Sequence, residues 1–417
     1  MEEIVPKIEK ANEEAVRRIL AGDPIWEDVR PAREVIPGMT ENTILHAGPP
    51  VTWDRMAGPM RGAVIAALLS ENRARTPEEA VQLAASGKIQ FSPCHGHSAV
   101  GAMAGVLYPS MPVFVVRNAP FGNVAYCGWR DLAQASGCFD APTLKNMRWL
   151  RDVGMPALSA AVRRRGGLEL KPLWARALTM GDELHNRVSA GTSLFARVMA
   201  PHLVRAADDR SAAAEVLDYL ADFDLAIVPL TMAGCKSILD AAHGVDASTV
   251  VTAIARNGVE VGIRVSGLGD RWFTGPAQPV KGTYHPGFTE EDGCPDLGDS
   301  AIIETAGFGG CAIAAAPTHI TVADEPGAAA AYTREMYEIT LAKNPSYPIP
   351  TLGFQGIPTA IDIRKVVETG ILPIVDTPVA HKEPGRVRGV IGFGMSRPPM
   401  ECFVKALTAF GERYLTD

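Results

Sequence analysis

The chain has 417 residues, 47% of them hydrophobic and 21% charged, with a formal net charge of −7. That composition belongs to a folded chain of two or three domains and excludes disorder, while the acidic balance excludes the broad basic surface that general nucleic-acid or anionic-membrane binding needs. Seven cysteines, scattered and without C-x-x-C spacing, fit free thiols in a reducing compartment rather than a disulfide framework.

The opening MEEIVPKIEKANEEAVRRIL carries apolar residues at helical spacing among charges, which predicts a helix and neither a secretory signal nor a transit peptide. No run reaches the roughly 18 consecutive apolar residues of a membrane span; a cytoplasmic protein is expected. TILHAGPPVTW (43–53) reads as a strand stopped by a Gly-Pro-Pro turn, GPMRGAVIAALLSENRA (58–74) as a helix, GKIQFSPC (87–94) as a strand and MPVFVVRN (111–118) as a buried strand. From about Thr143 to Gly244 the apolar spacing turns helical. After Ser248 strands return, with a helix at about 326–343 and a last one near 399–413. The fold class expected is mixed α/β: an α/β domain over 1–142 with its leading helix, a helical subdomain over 143–245 and a second α/β domain over 246–417, neither α/β domain of the Rossmann type.

Three stretches concentrate chemistry. FSPCHGHSAVG (91–101) places Cys94, His95 and His97 at a strand end. In a strand His95 and His97 face one way and Cys94 the other, so neither three metal ligands nor a Cys–His nucleophile pair follows from the spacing, and no metal or cofactor is expected. The reading that uses the whole stretch is a turn whose backbone N–H groups converge on an anion, with His95 beside it as acid or donor; Gly101 and Gly105 also fit close packing alone. TMGDELHNRVSAGTSLF (179–195) reads as helix, with Glu183 and Arg187 at i and i+4 as in a surface ion pair. Asp182 and His185 stand at i and i+3, where a carboxylate could orient a general acid–base imidazole. RNGVEVGIRVSGLGDRWFTGPA (256–277) sets Arg256, Arg264 and Arg271 among glycines with Asn257 and Ser266, and PDLGDSAIIETAG (295–307) adds Asp296, Asp299, Ser300 and Glu304. Arginine forks suit carboxylate or phosphate; ordinary arginine–carboxylate pairing accounts for the same residues equally. Gln355, Asp362, His381 and Lys382 lie late in the chain, the last two after a strand. No P-loop, dinucleotide fingerprint or G-x-S-x-G elbow is present.

Taken together, LHAGPPVTWDRMAGPMRGA, PCHGHSAVG, YPSMPVFVVRN, TMGDELHNR, ARNGVEVGIRVSGLGDRWFTGPA, PDLGDSAIIET, GFQG, IDIRKVVETGILP and AHKEPG resemble the YahG/YlbE-like family of bacterial proteins over about 11–407. The resemblance implies a component of an oxamate carbamoyltransferase, acting with an FdrA-like subunit and a third small subunit, that converts carbamoyl-oxamate and phosphate to oxamate and carbamoyl phosphate in allantoin breakdown. The Ser-Thr-Arg-Thr and His-Pro-Gln motifs of ordinary carbamoyltransferases are missing, so the activity would sit on another fold. Candidate catalytic residues are His95, His185, Asp182 and Glu183. Candidate contacts to a small anionic substrate and phosphate are His46, Arg61, Gly101, Asn118, Arg187, Asn257, Arg264, Ser266, Arg271, Asp299, Gln355, His381 and Lys382. A homo-oligomer is expected. An amide or cyclic-amide hydrolase acting alone, and a non-catalytic subunit holding an FdrA-like partner, stay open as alternatives.

Overall fold

Ile8, Ala11, Asn12, Ala15 and Ile19 recur at three- and four-residue steps and are buried, so the first helix, α1 (Ile4–Ala21), lays one face on the body of the protein. The computed structural model describes residues 4–206, 210–322 and 327–415. Asn12 is satisfied within that buried face: its Nδ2 donates to Thr249 Oγ1, and its Oδ1 accepts from the Thr249 N–H and the Ser248 hydroxyl. The N-terminal helix is thereby tied to the C-terminal half.

The architecture is mixed α/β, as the alternation of elements predicts, but its strands fall into several small sheets. The largest has five, in the order β4 (Ala99–Val100), β6 (Val124–Gly128), β5 (Pro112–Asn118), β1 (Pro24–Pro31), β7 (Leu168–Glu169), and apart from β4 against β6 its pairs are antiparallel. No sequence pattern marks β1, PIWEDVRP, because prolines and charges interrupt its alternation; packing makes it a strand. Trp26 of β1 is fully buried with ring centroids 5.9 Å from Phe114 and 5.3 Å from Phe195, the kind of large apolar anchor that dominates core energetics. β2 (Thr43–His46) and β3 (Gln90–Pro93) form a separate parallel pair. In the second half β10 (Phe273–Pro276), β9 (Glu260–Val265), β8 (Val251–Asn257) and β12 (Leu297–Gly298) make a four-stranded sheet. β11 (Lys281–Tyr284), β16 (Val390–Ser396) and β15 (Val375–Ala380) make another, and β13 (Thr340–Ile349) pairs with β14 (Gln355–Ile361).

Of the helices between about 143 and 245, α2 (Met155–Arg165) packs on β1, and α5 (Val228–Ala241) packs on β5 and β6. Nearly every residue of α5 is buried, as an all-round apolar helix must be. At its middle, a Cβ on Gly234 would collide with the Trp174 ring, so glycine is what lets that indole lie on the helix.

The single helix expected over 179–195 is instead two, α3 (Leu170–Thr179) and α4 (Ser189–Ala206), joined by a non-helical loop. Gly181 and Leu184 both have positive φ there, at 99° and 74°, and two carboxylates take up the backbone donors. Asp182 caps α4 by accepting from the Gly191 N–H at 2.6 Å and the Ala190 N–H at 3.2 Å, and Glu183 accepts from the N–H groups of His185, Asn186 and Arg187. Side-chain capping of this kind competes with helix. Likewise Cys94–His97 is a 3₁₀ turn rather than a strand end. All seven cysteines are buried and unpaired.

Gly48 joins the halves. Its φ is +79°, and a Cβ would lie 2.6 Å from the backbone of Arg256 and Asn257. Gly48→Ala should therefore destabilise the protein by roughly 3 kcal/mol, from left-handed strain plus a backbone clash, read as a lower urea midpoint with unchanged slope.

Candidate functional site

Two polar clusters in the interior meet at the segments 101–103 and 299–300. The first centres on Asp299. Its carboxylate accepts from the Gly48 N–H at 2.7 Å and the Gly101 N–H at 2.9 Å, and its own N–H donates to the Gly101 carbonyl at 2.8 Å. Gly101 thus does bind a carboxylate through its backbone, but the protein's own. His95 Nε2 stands 3.6 Å from Asp299 Oδ1, with both side chains wholly buried. Neither ring nitrogen of His95 has a hydrogen-bond partner; Trp272 meets the ring edge-on at 5.4 Å. Burial, with Lys236, Arg264 and His243 adding like charge, holds His95 well below the usual histidine range. Burial raises the Asp299 carboxyl to about 7. Cys94 donates its thiol to the Gly105 carbonyl at 3.4 Å, and burial pushes that thiol well up, the opposite of what a nucleophile needs. His97 sits further out, between Ser92 and the Pro37 carbonyl.

The second cluster centres on Glu304. A single oxygen, Oε1, is 2.7 Å from His185 Nδ1 and also receives the Gly310 N–H at 3.0 Å and the Asp376 N–H at 3.2 Å. An oxygen surrounded by donors acts as the acceptor, so His185 Nδ1 is the donor to Glu304. The carboxylate that orients His185 is therefore Glu304 and not Asp182, whose oxygens are spent on α4. The expected surface ion pair of Glu183 and Arg187 is also replaced. Glu183 is buried and takes the Arg187 N–H, while the Arg187 guanidinium donates to Thr318 Oγ1 at 2.8 Å. Burial raises Asp182 to about 6 and pushes Glu183 and Asp376 well above the carboxylate range; the charge of Asp376 adds to the effect at Glu183, and at Asp376 the Asn186 amide opposes it while Glu304 adds to it.

His185 and Asn186 line a narrow chamber with Ala102, Met103, Ser300 and Pro378. It has room for about one small group, at about 10 Å³. Arg130 and Leu132 line this chamber and also an open cleft of about 550 Å³ whose wall carries Lys145 and the acids Asp131, Glu215 and Asp218 beside Trp149 and Tyr219. Arg130 is buried, and among the described residues neither its Nε nor its Nη1 has a hydrogen-bond partner. A guanidinium left so is costly unless an anion completes it. Its place in the sequence, in GWRDL at the end of β6, gives no motif; only the packing leaves it buried and incompletely paired.

The remaining candidates have protein partners. Arg264 donates to Asp270 Oδ1 at 2.7 Å and to the His95 carbonyl at 3.3 Å, and it lies over Trp272. Arg271 is exposed over Phe273. Asn257 shapes the β8–β9 turn and donates to the Pro49 carbonyl. Ser266 donates to the Ala242 carbonyl, and Asn118 links Asp23 to the Ser237 carbonyl. His46 Nδ1 is 2.8 Å from the Ala47 carbonyl, and burial lowers the ring to about 4. Arg61 donates to the Asp54 carbonyl and lies over Trp53. Gln355 accepts from Lys343 at the surface; His381 Nδ1 accepts the Glu383 N–H, and Lys382 donates to the Glu291 carbonyl. Arg256, wholly buried, pairs with Asp296 at 3.0 Å.

The chain matches the family of oxamate carbamoyltransferase subunit AllG over residues 89–300. It is 46% identical over 415 residues to the uncharacterized protein YahG of Escherichia coli K12, covering 99% of this chain and 88% of that one. It is 43% identical over 412 residues to the oxamate carbamoyltransferase subunit AllG of the same organism, covering 97% of this chain and 98% of that one. A crystal structure of a conserved protein of unknown function from Enterococcus faecalis V583 superposes with a TM-score of 0.96 at 46% identity, covering 99% of each chain.

The protonated form of Asp299 is favoured on folding, so its contribution to stability is full below the unfolded carboxyl's 3.8 and is lost as pH rises towards about 7. Asp299→Asn should flatten that part of the stability–pH profile, measured by urea unfolding between about pH 4 and pH 8.

Proposed function

The chain belongs to the AllG family of oxamate carbamoyltransferase subunits, and from that membership we propose that it carries the carbamoyl-transfer site of such an enzyme. The observation that carries this reading is Arg130, a buried guanidinium without partners on Nε and Nη1, at the junction of the cleft and the chamber lined by His185 of the His185–Glu304 pair. The substrate class is a carboxylated amide, carbamoyl-oxamate, with phosphate as acceptor. Arg130 meets the carboxylate or phosphate with its planar fork. The substrate body lies in the cleft, and the chamber, which at about 10 Å³ holds about one water, widens to admit the reacting end beside Asn186 and Ser300.

In the forward direction a phosphate oxygen attacks the carbamoyl carbon, the C–N bond to the oxamate nitrogen breaks, and that nitrogen takes a proton. The phosphate monohydrogen dianion gives up one proton as its oxygen becomes the bridging oxygen of carbamoyl phosphate, so proton count balances if one group accepts there and donates at nitrogen. His185, with Nδ1 held by Glu304, is that group: Nε2 takes the phosphate proton and returns it to the leaving nitrogen. The Asn186 amide and Ser300 hydroxyl supply donors to the oxygen that gains charge in the tetrahedral state. We assign partner proteins to the complex, an FdrA-like subunit and a third small one, a homo-oligomeric state for this chain and a cytoplasmic location. Among the described residues no helix is long and apolar enough to cross a membrane.

In the complex reconstituted from all three kinds of subunit, His185→Gln should lower kcat for phosphorolysis of carbamoyl-oxamate by about 100-fold or more with little change in KM. Arg130→Met should raise KM for substrate or phosphate by about 10-fold or more, because one charge-assisted contact of about 1.5–3 kcal/mol is lost. Turnover by the single chain without phosphate would instead identify a hydrolase, and near-normal rates in both variants would remove the site from this chamber.

A further inference from the structure

Close to the His185–Glu304 pair, Glu183, His319 and Asp376 come together from three distant parts of the chain. One ligand-type atom of each lies within 4.8 Å of the others, and all three residues are buried. His319 Nε2 is 3.3 Å from Asp376 Oδ2, with the carboxylate wholly shielded from solvent. Neither Asp376 oxygen receives a hydrogen bond of ordinary geometry, and the Oε2 oxygen of Glu304, the next acid over, has no partner either. Asp376 is a buried carboxylate with unfilled acceptor sites, and it faces an imidazole and a second carboxylate, Glu183, whose oxygens already take backbone N–H groups.

We propose that Glu183, His319 and Asp376 bind one divalent cation of the first transition series. Two carboxylates and one imidazole form a mixed oxygen and nitrogen set that suits Mn²⁺, Fe²⁺ or Zn²⁺. Ca²⁺, which takes about six to eight oxygens, is a poor match. Two tetrahedral donors with bonds of about 2.1 Å stand about 3.4 Å apart, so a pair at the 4.8 Å limit closes by about 1.4 Å, shared between the two side chains. A doubly charged ion gives the Glu183 and Asp376 carboxylates a shared counter-charge and fills acceptor sites on Asp376 that no described residue takes with ordinary hydrogen-bond geometry.

The surroundings hold the three ligands in place. Glu183 is fixed by the N–H groups it accepts from His185, Asn186 and Arg187, and its carbonyl receives the Gly309 N–H at 2.8 Å. Asp376 is fixed through its own N–H on Glu304, and the loop bearing His319 is pinned where Arg187 donates to Thr318. Two of the ligands adjoin chamber residues: Glu183 is two positions from His185, and Asp376 two from Pro378. This inference goes beyond the carbamoyl-transfer reading and does not rest on it, since its test uses no substrate.

Chelator-treated full-length protein is dialysed against Mn²⁺ and, separately, Zn²⁺, and bound metal is counted by mass spectrometry with free and bound Mn²⁺ resolved by electron paramagnetic resonance. The expected result is about one ion per chain, with affinity falling roughly 100-fold in His319→Ala and in Asp376→Asn. His319→Ala is read first, because its ring lies on a loop and the variant is expected to fold, checked by circular dichroism. Wild-type protein that takes up neither ion at about 1 mM, or folded His319→Ala that binds as tightly as wild type, overturns the proposal.

Discussion

Glu304 Oε1 is the atom on which the interior of this protein turns. It accepts from a histidine on the 180–188 loop, from a glycine N–H at 310 and from a strand N–H at 376, joining three segments far apart in the chain. Such convergence needs the backbone to come close, and Gly309 shows how close: at φ +58° a Cβ there would collide with Glu304 Oε1. A fully buried carboxylate is tolerated because its donors are built in, and the donors are fixed because the carboxylate is there.

The same logic repeats around it. Asp299 joins Gly48 to Gly101, Asp182 caps α4, and Asp296 takes Arg256, so charged groups buried in the interior act as staples between chain segments. The pairing is incomplete at two places among the described residues: Arg130 has no hydrogen-bond partner on Nε or Nη1, and Asp376, beside Glu183 and His319, receives no hydrogen bond of ordinary geometry. The two have opposite sign, and each lies near His185: Arg130 lines the same chamber, and Asp376 shares the Glu304 oxygen that His185 meets.

Much of the site is visible along the chain as composition and not as geometry. TMGDELHNR announces a dense cluster, but helical spacing pairs His185 with Asp182, whereas the fold sets it against Glu304. Gly181 and Leu184 take positive φ, which breaks the i, i+3 relation on which the Asp182–His185 pairing rests. Glu304 stands in a motif that local arginine–carboxylate pairing explains just as well. Arg130, His319 and Asp376 carry no signal, since a residue type at an arbitrary spacing says nothing until the fold brings distant segments together. Arg264 and Arg271, which read as a clamp, are respectively paired to Asp270 and exposed on Phe273.

Periodicity, turn residues and long motifs of unusual order are written along one dimension. They suffice for the mixed α/β class, for the first and last helices, for strands such as MPVFVVRN, and for the family to which the chain belongs. Three-dimensional packing alone makes β1 a strand inside its sheet, gives His185 to Glu304 instead of Asp182, and leaves Arg130 and Asp376 without complete partners. Each of these depends on which residues far apart in the chain are excluded from water together, and burial, unlike periodicity, has no local record.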